Sequence, residues 1–173
     1  MIHNSDITIA VHDTRWHSAI EHLQSHSKQV VQHVLDAHPH IVQTYPADVA
    51  HQVAILYTDA KEIRELNQRF RNKNKATNVL SFPAIADAVI PQGQPHIVGD
   101  IIIAYDIIQM EADAQKKSFY DHATHMLIHG MLHLLGYDHM YDEEADIMEQ
   151  QERIMLKAYN ISDPYFIQPD VTI

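Results

Sequence analysis

The stretch His129-Gly130-Met131-Leu132-His133-Leu134-Leu135-Gly136-Tyr137-Asp138-His139 predicts a buried helix that ends in a tight turn. Apolar residues surround His129 and His133, and residues four apart lie on the same face of a helix. Gly136 marks the expected end of the helix, because glycine adopts the left-handed C′ conformation without steric cost. The reversed chain can then bring His139 toward the other two histidines.

Three histidines at this spacing predict a metal site. Imidazole nitrogens bind zinc at about 2.0–2.1 Å, and catalytic zinc sites leave a fourth position open for water or substrate. The chain has no cysteine, so histidine and carboxylate are the remaining ligand types. Among 15 histidines, however, pairs at helical spacing also arise by chance, such as His22 with His26 and His125 with His129. We interpret the first pair as an exposed polar face, whereas His125 extends the histidine stripe by one turn.

Length and composition predict one globular domain over residues 1–173. Apolar residues make up 46% of the chain and charged residues 20%, which is ordinary for a globular protein. No apolar run approaches the roughly 20 residues of a membrane span, and residues 1–10 lack the pattern of a secretory signal. With the absence of cysteine, these features agree with a cytoplasmic protein that has no membrane partner.

The charge of the chain is unevenly distributed. The formal net charge of −11 argues against nucleic acid as a general partner. Residues 61–75, the basic segment, nevertheless hold six of the twelve basic residues and only two glutamates, so their net charge is +4. These six are Lys61, Arg64, Arg69, Arg71, Lys73 and Lys75. Such a local concentration can bind phosphates, although an isolated basic run is more often a solvated helix end and loop.

The order of apolar patterns predicts an α+β fold. Alternation or short apolar runs indicate strands around residues 7–11, 49–57, 79–82 and 99–105, and the first strand is expected at a sheet edge. Helical periodicity indicates about five helices, which begin near residues 14, 60, 107, 120 and 142. The first is expected to end before His38-Pro39, with Asp59 and Asp106 as caps of the second and third. We interpret the acidic run 142–152 as the solvated face of the last helix.

Two further segments accompany the histidine segment: Asn78-Val79-Leu80-Ser81-Phe82-Pro83 and Gly99-Asp100-Ile101-Ile102-Ile103. Together with Asp163-Pro164-Tyr165, they resemble the bacterial rRNA maturation factor family, the YbeY endoribonucleases, over about residues 48–164. The pattern H-G-x-L-H-L-x-G-Y-D-H is met at every position, whereas Ala76 stands where many members have proline. The resemblance implies a single-domain fold with a four-stranded mixed sheet. It also implies one zinc ion per chain, bound on the helix-turn segment by the three histidines.

The resemblance also implies a function. It predicts a zinc-dependent endoribonuclease that cleaves single-stranded RNA in maturation of the 16S rRNA 3′ end and in ribosome quality control. The small ribosomal subunit and its assembly factors are the expected partners, and the oligomeric state is left open. The functional arginine of the family maps to Arg71, whose planar guanidinium suits phosphate. Asp138, beside a ligand, is expected to orient an imidazole N–H, act as a general base or stabilise the turn.

Two alternatives are weighed against this function. The spacing H-x3-H-x2-G-x2-H also occurs in metzincin peptidases, which carry a glutamate base directly after the first histidine. Here that position is Gly130, which cannot accept a proton, so peptide hydrolysis is the weaker hypothesis. The other alternative is a non-catalytic ribosome assembly factor, in which a carboxylate such as Asp138 closes a structural zinc site.

Overall fold

The computed structural model describes residues 5–42, 49–85, 91 and 93–166. The strands are β1 (Ser5–Val11), β2 (His51–Thr58), β3 (Val79–Pro83) and β4 (His96–Ala104). The helices are α1 (Arg15–Ala19), α2 (Leu23–Ala37), α3 (Pro39–Val42), α4 (Ala60–Arg71), α5 (Tyr105–Gln115), α6 (Phe119–Leu134) and α7 (Asp142–Lys157). Five of these helices have eleven residues or more. The predicted α+β class, with four strands and about five helices, is confirmed.

The four strands form one mixed sheet in the order β1-β2-β4-β3. Strand β2 is parallel to both β1 and β4, whereas β3 is antiparallel to β4, with Ser81 opposite Ile101. The first strand lies at an edge, as predicted. Strand β3 forms the other edge, so one side of its backbone is free to border a site.

Helices cover both faces of the sheet because β4 carries apolar residues on both sides. Ile101 and Ile103 enter the larger core, which includes buried residues of α2, α6 and α7. Ile102 points to the opposite face and packs in a smaller cluster with Ile63 of α4 and Leu80 of β3. Burying each such side chain contributes about 1.5–3 kcal/mol, so this strand anchors helices α6 and α4 on opposite faces. No helix in the described ranges is both long and apolar enough to span a membrane.

Two details of the predicted helices are wrong. The first helix is broken, because Ile20 is extended and His22 is left-handed between α1 and α2. The break lets Trp16 donate from Nε1 to the carbonyl oxygen of Thr58 at 3.1 Å while α2 packs against α6. Asp59 caps α4 as predicted, but α5 begins before Asp106, which accepts a hydrogen bond from the backbone of Ala60 instead.

Candidate metal centre

The end of α6 creates the turn that carries the last histidine. Gly136 has a φ of 93° and follows the helix as its left-handed C′ residue. Its N–H donates to the carbonyl oxygen of His133 at 3.0 Å, and the N–H of Tyr137 donates to that of Leu132 at 3.0 Å. These two bonds define a Schellman motif, which satisfies carbonyl groups at the end of the helix. The predicted stop at Gly136 is confirmed, and the chain reverses there toward His139.

The three histidines meet at one point above the C-terminal end of α6. One ring nitrogen from each of His129, His133 and His139 lies within 4.8 Å of the other two. The Nε2 atoms of His129 and His133 are 3.1 Å apart. Two nitrogens bound at about 2.0–2.1 Å to one tetrahedral zinc ion stand about 3.3 Å apart, so the spacing fits a shared cation.

Hydrogen bonds on the far side of the rings assign the proton positions. His129 donates from Nδ1 to Oε1 of Glu152 at 2.5 Å, and His133 donates from Nδ1 to the carbonyl oxygen of Tyr137 at 2.9 Å. Because both Nδ1 atoms carry protons, both neutral rings direct an Nε2 lone pair at the same point. Burial, together with the neighbouring His129 and His139, lowers the pKa of His133 and favours this neutral form. The donor set is therefore suited to a metal ion.

The amino-acid sequence alone did not identify Glu152 as part of the site. Its side chain on α7 is fully buried, so the interpretation of residues 142–152 as a solvated face is wrong at this position. Its Oε2 accepts hydrogen bonds from His125 Nε2 at 3.2 Å and from the Tyr165 hydroxyl. Burial raises the pKa of Glu152, but the hydrogen bonds from His125 and His129 outweigh it and bring the value to about 2. A signal did exist, because Glu152 lies on the same stripe of α7 as the buried Met148 and Met155.

The other histidine pairs have different roles. His125 extends the stripe of α6, as the sequence indicated, but it contacts Glu152 and does not join the three histidines. His22 is exposed as expected, whereas His26 is half-buried and forms a 2.8 Å hydrogen bond with Thr124. Across the described part of the chain, the three histidines form the one group with metal-ligand geometry.

Asp138 lies on the turn, where its Oδ1 accepts a hydrogen bond from the backbone N–H of His139 at 2.7 Å. The contact is one of the roles that the sequence allowed for this aspartate, stabilisation of the turn. Orientation of the imidazoles is carried instead by Glu152 for His129 and by the Tyr137 carbonyl group for His133. Asp138 does not belong to the three-residue ligand group.

A cleft of about 780 Å³ contains the three histidines and Asp138, and Arg71 and Lys73 line the same cleft. Arg71 reaches it from the last residue of α4, around the open edge of β3. Its Nη2 donates to the carbonyl oxygen of Ser81 at 2.7 Å, and its guanidinium lies 5.3 Å from the centre of the Phe82 ring. The structure thus brings the basic segment and the histidine segment to one site.

A second polar cluster borders the cleft, and the sequence alone did not predict it either. Asn78 lines the cleft and donates from Nδ2 to Oε2 of Glu111 at 3.1 Å. The same oxygen accepts a hydrogen bond from Nε2 of the buried His122 at 2.7 Å. Because the Asn78 amide is held by α5 and α6, this side of the cleft has a fixed polar wall.

Comparisons with known proteins agree with the sequence resemblance. The family model described as Endoribonuclease YbeY matches residues 10–160. Endoribonuclease YbeY of Sinorhizobium fredii is 42% identical over 168 residues, which cover 96% of this chain and 95% of that protein. Its counterpart from Rhodopseudomonas palustris is 49% identical over 121 residues, or 70% of this chain and 64% of that protein.

The fold also has a counterpart among solved structures. The solution structure of a Thermotoga maritima protein matches with a TM-score of 0.50 and 22% sequence identity. The match covers 95% of this chain and 99% of that protein. At this identity the likeness concerns the fold alone. It agrees with the α+β fold and its one four-stranded sheet described above.

Proposed function

This chain belongs to the YbeY endoribonuclease family, and we propose that it is a zinc-dependent enzyme that cleaves single-stranded RNA. Its proposed role is maturation of the 16S rRNA 3′ end and ribosome quality control, with the small ribosomal subunit and assembly factors as partners. The observation that carries the proposal is the shared cleft, which is lined by the three histidines and by Arg71 and Lys73.

The three histidines would hold the zinc ion through one ring nitrogen each. A zinc ion held this way supplies a Lewis acid for phosphate and activates water near neutral pH. Glu152 and the Tyr137 carbonyl group keep two of the rings in the ligating tautomer, because each accepts the proton on the opposite nitrogen. His139, on the exposed turn, would provide the third protein ligand. Because the turn is exposed, water and substrate can reach the metal from the cleft.

Arg71 is proposed to bind the scissile phosphate and to stabilise its charge in the transition state. One of its five N–H donors is used by Ser81, which fixes the plane of the guanidinium at the edge of β3. The remaining donors can form a bidentate pair with phosphate oxygens. Asp138 borders the same cleft, and we propose it as a proton acceptor in addition to its contact in the turn.

Three other cations of the basic segment are proposed to guide the RNA backbone outside the cleft. Lys61, Arg64 and Arg69 line a separate groove of about 480 Å³ on the outer side of α4. Phe70, which precedes Arg71 in the chain, is 59% exposed, and the Arg69 guanidinium lies 5.3 Å from the centre of its ring. Exposed aromatic rings beside cationic side chains are suited to single-stranded nucleic acid, because bases stack on the ring while the cations contact phosphates.

The two alternatives are less well supported. A closed structural site requires a fourth protein ligand, but the ligand group formed by the described residues contains three histidines and no carboxylate. A peptidase requires a base after the first histidine, and Gly130 is buried against the sheet at that position. Neither alternative uses Arg71, which the fold holds in the cleft by a hydrogen bond to Ser81.

The direct test is cleavage of a labelled single-stranded RNA by the purified protein, with zinc and with a chelator. His133→Ala and Arg71→Ala should each reduce the rate at least about 100-fold, because each removes a group that stabilises transition-state charge. His17→Ala, at an exposed histidine of α1, is the matched control and should cleave as the wild type does. Equal cleavage by all four proteins, or by the chelated enzyme, would contradict the proposal and indicate a contaminating nuclease.

The assembly-factor alternative predicts a different result. It expects no cleavage by any of the four proteins in the presence of zinc, together with retained binding of the wild type to the small ribosomal subunit. Binding to the subunit is therefore measured in parallel by co-sedimentation. Cleavage that depends on His133 and Arg71 supports the enzyme, and binding without any cleavage supports the assembly factor.

A further inference from the structure

A buried hydrogen-bonded cluster lies directly behind the candidate metal centre. At its middle is Glu152, whose two oxygens are shared among three partners: His129 on Oε1, and His125 with Tyr165 on Oε2. Burial and the bond to Glu152 raise the pKa of Tyr165, so its hydroxyl keeps its proton and acts as the donor. The carboxylate is thereby held from both ends, with one oxygen committed to the metal-facing histidine.

One of the two residues that bind the second oxygen, Tyr165, comes from the segment after α7. This C-terminal segment, Asp163-Pro164-Tyr165, is docked onto the protein by several contacts. Arg153 of α7 donates from Nε to Asp163 at 3.1 Å, and its guanidinium lies 5.0 Å from the centre of the Tyr165 ring. Asp163 also accepts a hydrogen bond from the backbone N–H of Tyr165 at 2.9 Å. The Tyr165 ring further meets the His125 ring edge-on, with 5.8 Å between the ring centres.

We propose that Tyr165 is a positioning residue of the metal centre. By donating its hydroxyl to Oε2 of Glu152, it keeps Oε1 directed at His129 and so fixes the orientation and tautomer of that ring. The C-terminal segment thus sets the affinity for metal, although none of its three residues is among those that line the cleft or form the ligand group. The inference rests on the proposed zinc site and extends it to a part of the chain that supplies no ligand.

The physical reason lies in the geometry of a buried carboxylate. Without the Tyr165 hydroxyl, Glu152 retains only His125 and His129 as partners. Its carboxylate can then rotate, so that Oε1 no longer points at His129. His129 then loses a fixed acceptor at Nδ1, and the fraction of rings with a lone pair on Nε2 falls. Loss of such outer contacts weakens metal binding by about 10–100-fold in other proteins.

The test compares zinc affinities of purified full-length variants by competition with a chromogenic chelator. Tyr165→Phe removes only the hydroxyl, and we expect its zinc dissociation constant to rise about tenfold. Glu152→Gln, which removes the charge that holds His129, should show a larger rise. Tyr105→Phe is the matched control, because that partly buried ring packs against Trp16 and Phe119 at the border of the core. Its zinc affinity should equal that of the wild type.

A merely structural role for Tyr165 gives a different pattern. It would lower the thermal midpoint of the chelated protein while leaving the zinc dissociation constant and the visible spectrum of the cobalt-loaded protein unchanged. The proposal is overturned if Tyr165→Phe binds zinc within twofold of the wild type. Should Tyr165→Phe fail to fold, Asp163→Asn provides the second arm, because it loosens the segment from Arg153 and should also weaken zinc binding severalfold.

The same experiment separates this inference from the proposed function. A wild-type protein that binds no zinc overturns both. A wild-type protein that binds zinc and cleaves RNA, with unchanged affinity in Tyr165→Phe, overturns the positioning role and leaves the endoribonuclease proposal intact.

Discussion

Gly130 lies in direct contact with Ser81, at the point where α6 packs on β3. The Ser81 hydroxyl donates to the carbonyl oxygen of Gly130 at 3.2 Å. A Cβ atom at position 130 would stand 3.1 Å from Ser81 Oγ, 3.2 Å from Ile101 Cγ2 and 3.3 Å from Val79 Cγ2. The absence of a side chain therefore allows the histidine helix to approach the sheet this closely. The same absence removes the base that a peptidase with this histidine spacing requires.

The first prediction concerns this contact. Gly130→Glu should lower the free energy of unfolding by about 3 kcal/mol or more, because it overpacks the interface and buries a charge without a partner. Gly130→Ala should cost much less, since the gain in helix propensity of about 1 kcal/mol offsets part of the strain. Urea denaturation measures both values. A stable Gly130→Glu protein that hydrolyses a peptide substrate would refute this account of the site.

The second prediction concerns removal of the metal. Zinc at 100 times its dissociation constant should stabilise the protein by about 2.7 kcal/mol, which raises the midpoint of thermal unfolding by roughly 5–10 °C. Calorimetry with zinc and with a chelator measures the difference. His139→Ala should abolish it with little change in the chelated protein, because that histidine lies on the exposed turn. An equal zinc effect in His139→Ala would exclude this histidine as a ligand.

The third prediction separates charge from geometry at Arg71. Arg71→Lys keeps the positive charge but loses the planar fork that bonds Ser81 and is proposed to bind phosphate. We expect kcat/KM for RNA cleavage to fall about tenfold or more, with a smaller change in RNA affinity. Cleavage time courses measure kcat/KM, and equilibrium binding at several salt concentrations measures the RNA affinity. If Arg71→Lys matches the wild type in cleavage, the fork geometry has no part in the reaction.

The fourth prediction concerns acid stability. Arg15 bridges Asp13 at 2.6 Å and Asp106 at 2.8 Å, and its hydrogen bonds lower the pKa of both carboxyl groups from 3.8. The unfolded chain therefore binds protons more readily than the folded protein. The stabilisation is fully present above pH 3.8 and is lost as the pH falls through the lower folded values.

Arg15→Met tests this sign while keeping an apolar stem over the Tyr105 ring. At pH 7 the variant should be less stable than the wild type by about 1 kcal/mol, because the bridge is half exposed. Denaturation at pH 7, 5, 4 and 3 should show the difference shrinking below pH 4. A difference that stays constant to pH 3 would mean that packing, not the ion pairs, explains the effect.

The sequence by itself determined the features that depend on neighbouring residues. The Schellman bonds that end α6 join residues three and five apart, so Gly136 was sufficient to locate the turn. His129 and His133 share a face because four residues make about one helical turn. The apolar patterns likewise identified the strands, and Asp59 was found as a cap because it accepts a bond from Glu62, three residues on.

Only the tertiary structure decided which distant residues meet. Arg71 enters the cleft because β3 is an edge strand, whose Ser81 carbonyl group accepts its hydrogen bond. The order of strands in a sheet cannot be predicted from the periodicity of the sequence. Glu152 looked like part of a solvated acidic run, since buried carboxylates are rare unless they are paired. Its partners His125, His129 and Tyr165 come from α6 and from the segment after α7. Short-range hydrogen bonds and periodicity are local, whereas the burial of a charge depends on partners that only the packing of the helices supplies.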